Sequence, residues 1–393
     1  MLDIQRLRDD TPGVAHVIHL NNAGAALMPR PVLDTVTQHL AREAEIGGYE
    51  AAAEAEARLE GVYASLARLV NAAPDEIAVI ENGTRAWDMA FYALPLAPGD
   101  VILTSDTEYA GNYIPYLQRR ARDGVEIRVI PNAEQGGVSL AALRRMLEDE
   151  RVRLISLPML ATNGGPVQPA AEIGALAQAA GVWYLLDAIQ TVGQMPIDVG
   201  TIGCDMLSAT SRKYLRGPRG MGFLYVRRQL YGSLAPPLLD LHAARLLDAD
   251  TYRLRGDAQR FENWETNVAA KLGMGAAADY ALAMGVEDIW ARIKTLAALL
   301  RWRLAAVEGV SVTDAGAHLS GIVTFTVAGR ETRDIQADLA ALTPRINVTV
   351  STRSSTLLDM TARDLDSVVR ASVHAYNTEA EIEALVAALS RLA

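Results

Sequence analysis

The sequence predicts an α/β protein, with a large domain on a mostly parallel sheet and a smaller α+β domain at the C-terminal end. In the middle of the chain, short runs rich in Val, Ile and Leu alternate with helical patterns. This alternation is typical of a parallel sheet that is covered by helices on both faces. After about residue 280 the pattern changes to a long helix followed by separate strands. The length of 393 residues also favours two domains over one small core.

The strands of the large sheet are predicted from seven short apolar runs bounded by polar or glycine-containing turns. They lie at 76–80, 100–104, 126–130, 152–160, 182–188, 204–210 and 222–226. Helical patterns lie between them at 84–94, 139–150 and 169–181. Ligands of such sheets bind outside the carboxyl ends of the strands, so the residues that follow each strand are the first candidates for chemistry.

The last third of the chain predicts a module with its own strands. A helix at 286–307 precedes strands near 346–351 and 368–376, and a helix at 379–392 closes the chain. We therefore expect a domain boundary near 275–285. The predicted division is an N-terminal segment, 1–30, that packs with the small domain, a large cofactor domain, 31–280, and the small domain, 281–393.

Composition excludes several classes of protein. The net charge is 37 − 47 = −10, whereas a general nucleic-acid binder carries a basic surface. The one cysteine, Cys204, can form neither an intramolecular disulfide nor a multi-thiolate metal site. No apolar run reaches the roughly 18 residues of a membrane span, and the N-terminus lacks the apolar core of a signal peptide. We expect a soluble, cytoplasmic protein with no nucleic-acid, membrane or metal partner.

The first candidate site is VIENGTRAWDMAF (79–91), where a strand ends, Gly83 turns the chain and a helix begins at Thr84. The free amides of a helix N-terminus favour an anion, above all a phosphate, and the Thr84 hydroxyl adds a donor. The alternative is a simple helix cap, which is common in α/β turns.

The second candidate is Asp187 in YLLDAIQTVGQ (184–194), at the end of a very apolar strand. A charge is expensive to bury there unless it is paired. Asp187 is either a helix cap or a carboxylate that faces a protonated ring nitrogen. Gln190 lies one turn further and could reach the same ligand.

The third candidate is the segment 208–226, which joins two apolar strands and places four cations within eight positions: Arg212, Lys213, Arg216 and Arg219. A solvated basic loop is one interpretation. However, Lys213 directly follows a strand whose small polar residues, such as Thr210, can donate to an anion. A lysine in an apolar site beside other cations can have a lowered pKa and act as an amine nucleophile. A phosphate cradle, an acid for a pyridinium nitrogen and such a lysine are together what pyridoxal phosphate needs.

With these motifs the sequence resembles the class V aminotransferase group of fold-type I pyridoxal phosphate enzymes. That group includes cysteine desulfurases, selenocysteine lyases, isopenicillin N epimerase and C–S lyases. The resemblance covers nearly the whole chain, from LNNAGAALMP (20–29) to YNTEAEIEALVAAL (376–389).

The resemblance implies that Lys213 forms the Schiff base with the cofactor, that Asp187 pairs with its ring nitrogen and that Gln190 lies near its 3-oxygen. The residues implied for the phosphate are Gly83, Thr84, Arg85, Thr210 and Arg212. Many relatives have histidine in place of Arg212.

Further roles follow from the same resemblance. Tyr109 matches the ring that stacks on the cofactor, and either Thr162 or Asn163 faces the ring oxygen. Arg370 matches the arginine that grips the substrate carboxylate, for which its guanidinium fork is suited. Thr266 matches a residue that reaches the phosphate of the partner subunit, which implies a homodimer with the active site at the interface.

Three more positions are candidates for substrate contact, namely Asn22, Ala23 and Arg353. Arg353 could recognise an acidic or sulfoxide-like side chain, or it could be a plain surface residue.

The reaction implied by the resemblance begins with removal of the Cα proton of an amino acid. Cysteine desulfurases use a loop cysteine before the final strands, and the corresponding stretch here, 346–360, has none. The sequence therefore favours C–S lyase-like β-elimination without a catalytic cysteine. Transamination, epimerisation or racemisation, and decarboxylative Cβ chemistry stay open. A nucleotide-binding oxidoreductase or a non-catalytic scaffold is a more distant alternative, since no G-x-G-x-x-G follows the early strands.

Overall fold

The computed structural model describes residues 2–314 and 316–392. The helices are α1 Ile4–Asp9, α2 Asn22–Ala25, α3 Arg30–Ile46, α4 Gly48–Glu54, α5 Glu56–Val70, α6 Gly83–Ala93, α7 Ala110–Asp123, α8 Leu140–Met146, α9 Ala170–Ala180, α10 Val199–Ile202, α11 Val268–Met284, α12 Val286–Ala305, α13 Thr332–Ala340, α14 Leu357–Ala362 and α15 Glu379–Leu392. The strands are β1 Val17–His19, β2 Ile77–Ile80, β3 Val101–Thr104, β4 Glu126–Val129, β5 Val152–Pro158, β6 Trp183–Asp187, β7 Met206–Thr210, β8 Gly222–Val226, β9 Ala244–Leu246, β10 Tyr252–Leu254, β11 Val310–Val312, β12 Ile322–Val327, β13 Arg345–Asn347, β14 Thr349–Thr352 and β15 Ser367–Ser372.

The large sheet has seven strands in the order β2-β8-β7-β6-β5-β3-β4. Within this sheet only β8 runs against its neighbours, while the pairs from β7 to β4 are parallel. The predicted α/β class with a mostly parallel central sheet is therefore confirmed.

Both faces of the large sheet are buried, as the apolar strands require. Ile77 and Val79 of β2 belong to the hydrophobic core on one face, and Ala78 and Ile80 to the core on the other. This alternation follows from the period of two in a strand. Helices α3, α5 and α11 pack together at one face, while α6 contacts β7 and β8 at the other.

The register of the parallel strands brings their carboxyl ends together. Pro158 at the end of β5 pairs with Asp187 at the end of β6, and Asp187 pairs with Ser208 near the end of β7. Residues that directly follow these three strands therefore meet at one edge of the sheet.

The last third of the chain forms an antiparallel four-stranded sheet in the order β11-β12-β15-β14. Its core is shared with the N-terminal segment, because Leu7 and Leu20 pack in the same hydrophobic cluster as Phe325. In addition, β1 pairs in parallel with β13. The division at 1–30, 31–280 and 281–393 stays a prediction. None of the described helices is both long and apolar enough to cross a membrane.

Candidate active site

A pocket of about 220 Å³ opens at the carboxyl ends of β5, β6 and β7. It is lined by Asn82, Gly83, Thr84, Thr107, Tyr109, Pro158, Leu160, Thr162, Asp187, Ile189, Gln190, Thr210, Arg212, Lys213 and Gly220. Most of the residues predicted to bind the cofactor are in this set. Residues from five separate segments of the large sheet thus converge on one pocket.

One end of the pocket is the N-terminus of α6. Asn82 caps this helix, since its Oδ1 accepts a hydrogen bond from the backbone N–H of Arg85 at 3.0 Å. A Cβ on Gly83 would lie 2.9 Å from the Ile189 side chain and 3.1 Å from that of Thr210. Glycine is therefore favoured by close packing, and Gly83 and Thr84 at the start of α6 both line the pocket. Such a cradle fits a phosphate group.

Arg85, predicted at the phosphate, lies elsewhere, and Thr266 stays a prediction because it is expected at the phosphate of the partner subunit. The Arg85 guanidinium pairs with Asp88 at 3.6 Å and is 41% exposed, so its side chain does not line the pocket. Thr266 is partly exposed and also lies outside the pocket lining. Of the two arginines predicted to hold the phosphate, Arg212 lines the pocket and Arg85 does not.

Asp187 is held by two hydrogen bonds at the end of β6. Its Oδ1 accepts from the Ile189 N–H and its Oδ2 from the Asn112 amide, both at 2.8 Å. Burial raises the pKa of Asp187, while these two donors and the nearby charge of Lys213 oppose that shift. The carboxyl is thus fixed in orientation within a cationic pocket.

Lys213 lies three residues after the last residue of β7. Burial, and then the charges of Arg212 and Arg370, lower the pKa of Lys213 well below its usual value. A lowered pKa increases the fraction of the amine that is uncharged, and an uncharged amine is a nucleophile and a base. Its neighbour Tyr214 is anchored by His374, whose Nε2 donates to the Tyr214 backbone oxygen at 2.9 Å.

Thr162 joins Gln190 to Arg370 at the opposite wall. The Gln190 amide donates to Thr162 Oγ1 at 2.7 Å, and Arg370 Nη1 donates to the Thr162 backbone oxygen at 3.1 Å. Within the described residues, Gln190 Oε1 and Arg370 Nε are buried without a partner. Gln190 lines the pocket, whereas Arg370 is outside the lining and contacts it through Thr162. Buried polar atoms without a partner are costly, and a bound ligand can satisfy them. Together with the α6 cradle and Lys213, they fit pyridoxal phosphate and an amino-acid carboxylate.

The structure places Thr162, and not Asn163, in the pocket. The Asn163 amide turns to Thr356 Oγ1, 3.0 Å away. Tyr109 lines the pocket and is 42% exposed, with its ring over Gly111.

The three candidates for substrate contact are outside the pocket lining. The Asn22 amide donates to the Ser372 backbone oxygen at 2.7 Å, and Asn22 Oδ1 accepts from the Tyr376 hydroxyl. The Ala23 backbone oxygen accepts from Gln190 at 3.3 Å. Arg353 pairs with Asp366 of its own loop at 2.9 Å. Asn22 and Arg353 are thus occupied by structural contacts.

Arg216 is not part of a cationic surface. Its guanidinium lies 4.7 Å from the Tyr376 ring centroid and donates to the Leu27 backbone oxygen at 2.9 Å. It therefore joins the lysine-bearing loop to the N-terminal segment. Arg219 is exposed, which leaves Arg212 and Lys213 as the two cations of the cluster that line the pocket.

Comparison with known proteins identifies the family. Residues 18–385 match the family model described as aminotransferase class-V. The chain belongs to the class-V aminotransferase family. A probable cysteine desulfurase from Methanothermobacter thermautotrophicus is 28% identical over 392 residues, which cover 98% of this chain and 97% of the relative.

Solved structures agree with this class-V family membership. An apo cysteine desulfurase from Thermococcus onnurineus NA1 has a TM-score of 0.92 at 23% identity, covering 100% of this chain and 98% of that one, which shows the shared fold. A C-DES mutant with glycine covalently linked to its pyridoxal phosphate cofactor has a TM-score of 0.87 at 25% identity, covering 98% of both chains. The complex of the cystine C–S lyase C-DES with its reaction product cysteine persulfide has a TM-score of 0.85 at 25% identity, covering 97% of this chain and 99% of that one. The chain is a pyridoxal phosphate-dependent enzyme, as predicted.

Several residues of this class-V site escaped the sequence analysis, among them Thr107, Leu160 and Ile189. Behind Asp187 lie two more, Glu108 and Asn112, hydrogen-bonded at 2.9 Å. Glu108 lies just before α7 and Asn112 lies in its first turn, so two polar residues four positions apart at a helix start were the available signal.

Proposed function

We propose that this chain is a C–S lyase that breaks the Cβ–S bond of a sulfur-containing amino acid by β-elimination, without a catalytic cysteine. When bound, pyridoxal phosphate supplies an electron sink for the carbanion that forms at Cα. The observation that carries the proposal is the position of Cys204.

Cys204 is the only cysteine of the sequence, and it lies near the end of β7 that is farther from the pocket. It precedes the amino end of this strand, whereas Thr210, at the carboxyl end, lines the pocket. Six residues at about 3.3 Å each separate the two by roughly 20 Å. Cys204 is 0% exposed, and burial raises the pKa of its thiol to about 12. A buried, protonated thiol at that distance does not attack a substrate sulfur.

The stretch 346–360 offers no substitute thiol. Its Thr356 hydroxyl accepts a hydrogen bond from the amide of Asn163, the sequence neighbour of the pocket residue Thr162. Sulfur must therefore leave with the substrate fragment that carries it.

The pocket residues have distinct roles in this proposal. The amides at the start of α6, with Thr84, Thr210 and Arg212, would hold the cofactor phosphate. Asp187 would hold a proton on the cofactor ring nitrogen, and Gln190 would face the ring oxygen. These roles are supported by the convergence of the side chains on one pocket and by the orphaned Gln190 Oε1.

Arg370 and Lys213 would act on the substrate. The Arg370 guanidinium would bind the α-carboxylate, for which its unpartnered Nε leaves a donor. The Lys213 amine, whose pKa is lowered by burial, would take the Cα proton. The sulfur would then leave Cβ with the bonding electron pair, and water would release the remaining three-carbon fragment as pyruvate and ammonia. For cystine the balance is cystine plus water to cysteine persulfide, pyruvate and ammonia. Cystine is our first candidate because C-DES is named for that substrate.

A homodimer is part of the proposal. Large apolar side chains are exposed between β8 and α11, namely Leu238, Leu239, Leu241, Leu246, Leu247, Tyr252 and Trp264. Exposed apolar side chains concentrated in one segment favour an interface, and Thr266 follows Trp264 by two residues in the sequence. A second copy on this face would bring Thr266 towards the partner's phosphate site. Sedimentation of the wild type and of Leu246→Glu tests this, since a monomeric wild type would contradict it. The cytoplasmic location stays a prediction.

Product analysis separates elimination from the other class-V reactions. The holoenzyme is incubated with cystine, alanine and a cysteine conjugate, with and without a keto acid. Elimination yields pyruvate and ammonia from the sulfur substrates alone, without an acceptor. Strict dependence on the keto acid would instead indicate transamination. Loss of optical activity without pyruvate would indicate racemisation, and release of carbon dioxide a decarboxylation.

A further inference from the structure

A second buried carboxyl, Glu108, lies behind Asp187. It immediately precedes Tyr109 and is 3% exposed. Its Oε1 accepts from the Asn112 amide and from the Tyr109 N–H, both at 2.9 Å. Its Oε2 lies 2.9 Å from the hydroxyls of Thr104 and Tyr116. The cofactor pocket does not include Glu108, so its contacts are with the protein alone.

The Asn112 amide connects the two carboxyls. Its nitrogen donates to Glu108 Oε1 at 2.9 Å and to Asp187 Oδ2 at 2.8 Å. An amide NH2 carries two hydrogens, and each is used here. The orientation of Asn112 is therefore fixed only while both carboxyls accept from it, and Asn112 in turn fixes Asp187.

Two buried carboxyls bridged by one amide nitrogen repel each other when both are ionised, so the charge of one disfavours ionisation of the other. Burial, and then the charge of Asp187, raise the pKa of Glu108 to about 8. Other titratable groups that act on the pair are Tyr116 on α7 and Lys213, whose charge favours ionised Asp187.

The contacts indicate which carboxyl holds the proton. Asp187 is bonded to N–H donors, which can only donate and so favour its charged form. Glu108 Oε2 faces hydroxyls, which can also accept. A proton on this oxygen fits a hydrogen bond to Tyr116, whose own hydrogen can go to Ser156 Oγ at 2.7 Å.

We propose that Glu108 is a positioning residue that, in its uncharged form, holds Asn112 so that Asp187 stays ionised and oriented towards the cofactor ring nitrogen. This inference rests on the role proposed for Asp187.

The test uses the apoenzyme and two substitutions of Glu108. Glu108→Gln is uncharged and still accepts from Asn112, whereas Glu108→Leu cannot accept. Affinity for pyridoxal phosphate is measured by absorbance titration at pH 7. We expect Glu108→Gln to bind within about twofold of wild type and Glu108→Leu about tenfold more weakly, as for one lost hydrogen bond. Asp205→Asn is the control. Asp205 accepts a hydrogen bond from the Tyr184 N–H at the opposite edge of the sheet. The affinity of Asp205→Asn for pyridoxal phosphate should therefore equal that of the wild type.

A pH titration followed by absorbance tests whether Glu108 holds a proton. The absorbance of the Lys213-linked cofactor is recorded from pH 6 to 10. The curves of wild type and Glu108→Gln should coincide below about pH 7 and separate above it, as only the wild type loses the Glu108 proton. If Glu108→Leu does not fold, Asn112→Ala removes the same bridge and should show the same weaker binding.

Three results would overturn the inference. If Glu108→Gln binds pyridoxal phosphate as weakly as Glu108→Leu at pH 7, the charge of Glu108 is needed and the inference fails. Wild-type affinity in Glu108→Leu, or in Asn112→Ala, would exclude positioning. If the absorbance curves of wild type and Glu108→Gln coincide up to pH 10, Glu108 does not carry the proposed proton. If Asp187→Ala binds and absorbs as the wild type does, the role proposed for Asp187 fails instead.

Discussion

Arg370, on the last strand of the small sheet, donates from Nη1 to the backbone oxygen of Thr162 at 3.1 Å, at the carboxyl edge of the large sheet. Arg370 Nη1 also donates to Thr162 Oγ1 at 3.2 Å, and this oxygen accepts a second hydrogen bond from the Gln190 amide. The proposed substrate arginine is therefore fixed against the wall of the cofactor pocket. Because Arg370 is buried, its guanidinium is preorganised rather than recruited on binding.

Arg370→Ala should mainly weaken substrate binding. Loss of a charged hydrogen-bonding partner of the carboxylate should raise KM about 30-fold, with a smaller change in kcat. Steady-state kinetics with cystine measures this. The matched control is Arg353→Ala, because Arg353 pairs with its own loop and should leave KM within about twofold. A larger effect at Arg353 than at Arg370 would contradict the assignment of the carboxylate site.

Lys213→Ala should abolish covalent trapping of the cofactor by borohydride. The chain has three lysines, Lys213, Lys271 and Lys294, which makes the modified residue easy to identify by peptide mass. Lys271 donates to the Tyr63 hydroxyl at 2.6 Å and is not in the pocket. Lys294→Ala serves as the control and should trap the cofactor normally. Label on Lys271 or Lys294 in the wild type would contradict the role of Lys213.

Gly83→Ala should weaken cofactor binding about tenfold, because the new methyl would press on Ile189 and Thr210 at the phosphate cradle. Gly61→Ala is the control. A Cβ there would meet nothing within 4 Å, and alanine favours a helix interior. Titration of each apoenzyme with pyridoxal phosphate gives the affinities. Equal affinities of the two variants would show that the cradle does not contact the phosphate.

Because His374 is buried, the free energy of unfolding should decrease as the solution becomes acidic. Burial, and then the charge of Arg216, lower the pKa of His374 to about 3, so the folded state keeps it neutral. Below about pH 6.5 the unfolded chain takes up a proton that the folded chain does not. The free energy of unfolding should therefore fall by about 1.4 kcal/mol per pH unit from pH 6.5 towards 3, with the full contribution present above pH 6.5.

Urea unfolding of the wild type and of His374→Gln between pH 4 and 8 measures this contribution. The variant should be less stable at pH 8 but should have a shallower pH dependence. His16→Gln, at an exposed histidine, should keep the wild-type dependence. If all three proteins show the same slope, His374 is not held neutral by the fold.

Residues at strand ends could be predicted from sequence because their placement is local. Asp187 ends one apolar strand and Lys213 comes shortly after the end of another, and the parallel register brings those ends together. Arg85 could not be placed in the same way. Successive residues of a helix point about 100° apart, so two positions after Gly83 the side chain has turned from the pocket towards Asp88.

Long-range contacts were the other obstacle. Arg216 looked like one more cation of a basic loop, yet it has φ 65° and packs on Tyr376, 160 positions later. Glu108 is explained only by its bridge through Asn112 to Asp187. Tyr376 is distant in sequence from Arg216, and Asp187 is distant from Glu108, so no local pattern reveals that these residues are connected.

Pyruvate formation from cystine by Cys204→Ser, without a keto acid, tests the central proposal most directly. Serine fills nearly the same volume at this buried position but cannot form a persulfide. The account predicts that the variant releases pyruvate and ammonia at a rate within about twofold of the wild type, since Cys204 lies roughly 20 Å from the pocket. A folded, cofactor-loaded variant that releases no pyruvate, while the wild type does, would contradict elimination without a catalytic cysteine.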